Sequence, residues 1–241
     1  MTKSVVVLGA GASNGVGGAL ARRFAVEGLH AIIAGRTLEK VEAIAKEITA
    51  AGGSAEGVRS DVTSAEDQDA LFDLVASRGK VSAVLYNAGN NAIIPFEQLD
   101  AETYEAFWRV GNFGAFLTAK RAIPILKAQG QGSLLFTGAS GSMRGKANFA
   151  HFASMKAGLR MLAQSLAREF GPAGVHVAHV VIDGIIDGDY VGERFGEYLT
   201  KLGEDGALKP DAIADAFWHL HTKHRSAWTH ELDLRPFKEN W

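Results

Sequence analysis

The chain has 241 residues, 47% of them hydrophobic, with 25 basic and 27 acidic side chains and no cysteine. That length holds one α/β domain with a sizeable core. A formal charge of −2 offers no broad electrostatic footprint for nucleic acid or an anionic membrane. Without cysteine there is no disulfide framework, no thiolate metal site and no cysteine nucleophile. The five-residue apolar run after Lys3 is too short for a signal peptide, and no uncharged apolar stretch reaches the length of a membrane span. A cytoplasmic protein is expected.

Short β-branched runs alternate with longer amphipathic segments. Val5 to Leu8, Ala31 to Ala34, Val81 to Tyr86, Ser133 to Thr137 and Val175 to Ile182 read as strands buried on both faces. A weaker strand, Ala55 to Arg59, fits after the second. Between them lies helical spacing, as in Met155, Leu159, Leu162 and Leu166. Gly28, Gly52-Gly53, Gly130 and Gly171-Pro172 mark where helices should stop. Repeated strand–helix units imply a parallel, doubly wound sheet with helices on both faces, and no linker divides residues 1–241. A helix from Tyr104 to Leu126 should be bent or interrupted at Pro124.

After the first strand comes Gly9-Ala10-Gly11-Ala12-Ser13-Asn14-Gly15-Val16-Gly17, opening a helix with apolar Leu20 and Phe24. Gly11, Gly15 and Gly17 let the backbone turn tightly and bring bare N–H groups to a pyrophosphate, where the helix N-terminus adds partial positive charge. Ser13, Asn14 and Val16 complete this candidate phosphate loop, and the arrangement is Rossmann-like. The second strand ends Gly35-Arg36, where the adenosine ribose should lie. A carboxylate there would select NAD(H); here Gly35 leaves space and Arg36 can fork onto a 2′-phosphate, favouring NADP(H). Asp61-Val62 closes the third strand, where Asp61 either accepts from the adenine amino group or serves as an N-terminal helix acid.

These residues, with Asn87-Ala88-Gly89 after the fourth strand, resemble the short-chain dehydrogenase/reductase family over residues 5–184. The resemblance implies that Asn112 is the helical active-site asparagine and that Lys156 holds the nicotinamide ribose. It also implies a substrate lid near 185–208, a small-molecule substrate, and a homodimer or homotetramer built on the long helices. The family's Tyr-x-x-x-Lys, however, reads Phe152-Ala153-Ser154-Met155-Lys156 here, and the position of its serine, thirteen before the tyrosine, is Ala139. Ser140 would restore a hydroxyl only if the strand end shifts. Asp183-Gly184 stands where the family has Pro-Gly over the nicotinamide, and Trp228 to Pro236 departs from its usual closing strand.

General acid–base assistance is worth about 10²–10⁴-fold, so losing the tyrosine changes the chemistry without removing the parts that position a hydride. The main expectation is an NADP(H)-dependent oxidoreductase acting on a small organic substrate with a substitute proton path. His151 titrates near neutrality but points about 100° away from Phe152 around the helix. Tyr190, Tyr198 and Asp183 are further candidates. A second route reduces an activated C=C or an iminium, with Lys156 and a water held by Asn112 supplying a later proton. The alternative is a non-catalytic NADP(H)-binding sensor or scaffold. His219, His221, His224 and His230 are not expected to make a metal site, because 219 and 221 lie on different sides of a helix and 221 with 224 lacks a nearby third ligand. Ser142 and Ser154 are expected to have neither a partnered base nor a nucleophile-elbow sequence, so acyl transfer has no support. Trp218, Trp228 and Trp241 read as core or subunit-contact residues, and the Phe237 to Trp241 tail as docked.

Overall fold

The computed structural model describes residues 3–89 and 91–239. Seven parallel strands form one sheet in the order β3-β2-β1-β4-β5-β6-β7. They are β1 (Lys3–Leu8), β2 (His30–Gly35), β3 (Ser54–Arg59), β4 (Lys80–Tyr86), β5 (Ser133–Thr137), β6 (His176–Ile182) and β7 (Glu231–Leu234). The five central strands are almost wholly buried, which is why they read as continuous apolar runs. β3 and β7, at the two edges, are only partly buried.

Alternation along each strand divides the core between two helical layers. On one face α1 (Val16–Val26), α2 (Leu38–Ala50) and α8 (Pro210–Thr222) cover Val5, Val7 and Ile33. Phe24 of α1 is fully buried there against the edge of Trp218, with ring centroids 5.1 Å apart, a burial worth about 1.5–3 kcal/mol. On the other face α3 (Ala65–Ser77), α5 (Gly114–Gln129) and α6 (Ala150–Phe170) cover Val6, Leu8 and Ile32. Two further helices, α4 (Ala101–Trp108) and α7 (Asp189–Leu202), lie beside the carboxyl ends of the strands in sequence.

The expected helix from 104 to 126 is corrected in one respect. Its irregular turn falls at Arg109–Phe113, a π-helical turn between α4 and α5, and α5 runs through Pro124 unbroken. Gly111 explains the position: a side chain there would collide with the Met155 sulfur at 2.0 Å, so the wide turn packs directly onto α6. π turns are uncommon and often carry functional residues; this one carries Asn112. The chain order reverses between β1 and β4, and the crevice at a parallel sheet's switch point is where ligands bind.

Candidate active site

At the carboxyl end of β1, Gly9 adopts φ +90°, and a Cβ on it would lie 2.3 Å from the Ala88 nitrogen. The loop after β1 therefore presses against Asn87-Ala88-Gly89 after β4. Asn87 locks the contact: its amide donates to the Gly9 carbonyl at 3.0 Å and accepts from the Thr137 hydroxyl at 3.0 Å. One side chain thus ties together the ends of β1, β4 and β5. Gly17 meets Ala10 so closely that a Cβ would sit 2.7 Å from its Cα, whereas Gly11 faces open space. Helix α1 begins after Gly15 with no side-chain cap and no acid in its first turn, leaving its positive end available to an anion.

Ser13 is already engaged. Its hydroxyl donates to Glu47 and accepts from Arg22, whose same nitrogen donates to the Ser13 carbonyl at 2.9 Å. Arg22 is a residue the sequence reading missed, because nothing in its spacing marks it as the brace of this loop. The Asn14 carbonyl accepts from Asp189 at 2.9 Å, joining the loop to the start of α7. Val16 is buried under the loop.

The ribose-side residues bring one addition and one correction. Gly35 is also small because β2 abuts the loop: a Cβ would lie 2.8 Å from the Ala10 carbonyl oxygen and 2.9 Å from Val41. Asp61 is not a helix acid, since α3 begins at Ala65 and is capped by Ser64. Its carboxylate instead accepts from the Thr63 amide and hydroxyl, both at 2.8 Å. Burial pushes Asp61 upward, but those donors and the charges of Arg36 and Arg59 leave it below its ordinary value. Arg36 itself is exposed, and Val62 is buried.

Lys156 is the strongest electrostatic feature. It projects from α6, is only 5% exposed, and donates to the Thr137 carbonyl at 2.7 Å. A Cβ on Gly89 would lie 3.4 Å from its Nζ, so the ammonium sits against the Asn87-Ala88-Gly89 turn. Burial pushes it down to about 8. Asn112 lies across from α6, with Gly158 providing the room: a Cβ there would be 2.5 Å from the Asn112 amide nitrogen. Phe152 packs its ring over Gly141 in the turn after β5.

Proton donors around Phe152 are sparse. His151 is 1% exposed, lies 4.3 Å from the Phe107 ring, and both its ring nitrogens are buried without a hydrogen-bond partner among the described residues. Burial lowers its pKa, so it is a packed neutral ring rather than an accessible acid. Ser140 opens the 3₁₀ turn Ser140–Ser142, and the organised hydroxyl is Ser142. Ser142 Oγ accepts from the Ala139 amide at 3.1 Å and lies 3.2 Å from His179 Nε2, which corrects the expectation that this serine has no partnered base. His179 Nδ1 lies 3.2 Å from Glu231, which accepts two hydrogen bonds from Arg160 at 2.6 and 2.8 Å. The imidazole is fully buried, and desolvation outweighs Glu231 in pushing it down to about 4. The geometry assigns one neutral tautomer: Nδ1–H donates to Glu231 and Nε2 accepts from Ser142. The residues of this chain are scattered from 142 to 231, which hid them from sequence reading.

Asp183 is 4% exposed and receives both Arg144 nitrogens, at 2.9 and 3.0 Å. Gly184 presses on Pro236. Tyr190 and Tyr198 are both half exposed, and the Tyr190 hydroxyl donates to the Asn91 carbonyl at 3.3 Å. Of the two expected docking surfaces for the tail, its own subunit or a neighbouring one, its own does not cover Phe237, which is 77% exposed, while Trp241 lies outside the described residues. Trp218 and Trp228 are partly buried, the latter stacked on His176. Among the described residues no helix is long and apolar enough to cross a membrane.

Comparison with known proteins agrees with this layout. The short chain dehydrogenase family matches residues 3–197. The chain is 32% identical over 227 residues to 3beta-hydroxysteroid dehydrogenase 1 of Eggerthella lenta, covering 90% of this chain and 85% of that protein. It is 34% identical over 190 residues to the uncharacterized oxidoreductase YuxG of Bacillus subtilis, covering 77% of this chain but spanning only 28% of that protein's length. A short-chain dehydrogenase from Rhodopseudomonas palustris superposes with TM-score 0.84 at 31% identity, covering 98% of this chain and 99% of that one. A metagenomic short-chain oxidoreductase solved in complex with NADP superposes with TM-score 0.83 at 25% identity, covering 99% and 98%. The extent of the family match, joined to the switch-point crevice, places this chain in the short-chain dehydrogenase family.

Proposed function

We propose that the chain is an NADP(H)-dependent oxidoreductase that transfers hydride to a small organic substrate and delivers the proton by a route that does not use a tyrosine. The observation that carries this reading is the buried Lys156 ammonium, held by Thr137 beside Gly89. Burying an ammonium is costly, and a chain that had lost the chemistry would have little reason to retain it. The residues present fit the cofactor. The uncapped start of α1 and the Gly11 to Gly17 turn suit a pyrophosphate, and exposed Arg36 suits a 2′-phosphate. The NADP complex of a structural relative supports the same choice. Asn87, Ala88, Gly89, Asp183 and Gly184 would flank the nicotinamide half.

When bound, the cofactor supplies or accepts the hydride. Lys156 would hold the nicotinamide ribose, and its depressed pKa makes it a readier proton donor than an ordinary lysine. Asn112, on the π-helical turn facing α6, would order a water for the later proton. Phe152 and Ala139 leave no hydroxyl at the family's positions, which favours substrates whose reduction does not need an oxygen protonated in the same step. The half-exposed α7 segment would serve as the lid. The exposed Tyr104, Trp108, Phe116 and Met161 would be covered in a homodimer or homotetramer.

A second reading, a cofactor-binding sensor without turnover, draws on the absence of both family hydroxyls. Fluorescence titration with NADPH and NADH, followed by a carbonyl, enone and imine panel, separates the two. Tighter NADPH binding with substrate-dependent oxidation is expected. Binding without turnover across the panel would favour the sensor, and no binding of either nucleotide would overturn both.

A further inference from the structure

The opposite end of the sheet carries a second charged site. Lys3 and Lys80 begin β1 and β4 and are paired in register across the two strands. Like charges facing each other on adjacent strands destabilise a sheet. Lys223 and Arg225 join them from the segment after α8, and all four line one cavity of about 400 Å³. That volume lies in the range of small-molecule sites.

Among the described residues no carboxylate side chain lines this cavity. Among the described residues none of the four cations forms an ion pair, although the chain pairs Arg22, Arg23, Arg78, Arg121, Arg144 and Arg160 with acids elsewhere. Two of the four are nonetheless held in place. Lys223 donates to the Thr229 hydroxyl at 2.8 Å, and Arg225 donates to the Gly130 carbonyl at 3.2 Å, each with further N–H groups to offer. The wall behind them is rigid: His221 bridges Ser82 and Ser133 at 3.2 and 2.9 Å. Trp228 is already stacked on His176, centroids 4.7 Å apart, with Arg225 6.0 Å from its ring. Its engaged ring makes a poor platform for a base.

We infer that this cavity is a binding site for a small multivalent anion of the polyphosphate class, without an aromatic ring, separate from the nucleotide crevice. The separation follows from the topology. Lys3, Lys80 and His176 open their strands, whereas Gly9, Arg36, Asn87 and Thr137 lie at or beyond the opposite ends. Strands of this length put roughly 20 Å between the two sites. The inference therefore stands whether or not the chain turns over a substrate.

The test is calorimetric titration of sodium triphosphate into the full chain, with and without saturating NADPH, and with citrate as a carboxylate of comparable charge. Expected results are saturable one-to-one binding of triphosphate with NADPH present, weaker binding of citrate, and at least tenfold loss in Lys80→Glu/Arg225→Glu. Arg36→Glu should leave that binding unchanged. Lys80→Gln, at an exposed strand start, provides a milder variant if the double one unfolds, and should weaken binding severalfold. The inference is overturned by no binding, by binding that NADPH or Arg36→Glu abolishes, by citrate binding as tightly, or by equal binding in Lys80→Gln and wild type.

Discussion

The two halves of the crevice are built on different principles. From β1 to β4 the architecture is set by backbone against backbone: Gly9 on Ala88, Gly17 on Ala10 and Gly35 on the Ala10 carbonyl leave no room for a Cβ. From β5 to β7 it is set by polar side-chain contacts that run from the buried Ser142 and His179 to the partly exposed Glu231 and Arg160, and from the buried Asp183 to the exposed Arg144. A backbone contact with no room for a Cβ admits no side chain, whereas a side-chain network holds in any form that keeps every donor and acceptor satisfied. On the proposed reading, it is in this second half that Phe152 and Ala139 stand in exchange for the tyrosine and serine that the resemblance implies.

The largest expected effect comes from reversing that exchange. Phe152→Tyr combined with Ala139→Ser should raise NADPH-dependent carbonyl reduction by about 10²–10⁴-fold, the usual worth of general acid–base assistance. NADPH affinity should stay unchanged. Steady-state kinetics on a carbonyl and an enone would check this; equal gains on both would mean that the missing hydroxyls do not define the substrate class.

A smaller effect tests the first half. Arg36→Ala should weaken NADPH by roughly 1.5–3 kcal/mol, the worth of a hydrogen bond to a charged group, while leaving NADH unaffected. Parallel fluorescence titrations would reveal it, and equal weakening of both nucleotides would remove Arg36 as the selector.

The smallest effect is a pH slope. His179 and His221 are both pushed down to about 4 by burial, so the folded chain keeps them neutral while the unfolded chain protonates them near 6.5. Stability should therefore fall as pH drops from 6.5 toward 4, by up to about 1.4 kcal/mol per pH unit for each histidine. His179→Gln should remove one share of that slope in urea unfolding followed across pH. An unchanged slope would show that His179 is protonated in the folded chain.

Most of the architecture was legible in the sequence. The central strands are buried on both faces, so their apolar runs stand out, and the Gly9 to Gly17 turn is local enough to read directly. The spacing of Lys156, Asn112, Phe152 and Ala139 is also visible in the sequence, while the roles proposed for them rest on the resemblance. The π turn at 109–113 was not, because it depends on Gly111 meeting Met155 across a helix interface.

Sequence by itself thus determined the fold and the family, both of which follow from local pattern and fixed spacing. Only the tertiary structure decided which polar groups meet. Arg144 reaches Asp183 across 39 positions, Ser142 reaches His179 across 37, and Lys3 is set beside Lys80 by strand pairing. Such contacts are fixed by strand order and register, which bring distant residues together and leave no periodic mark in the chain.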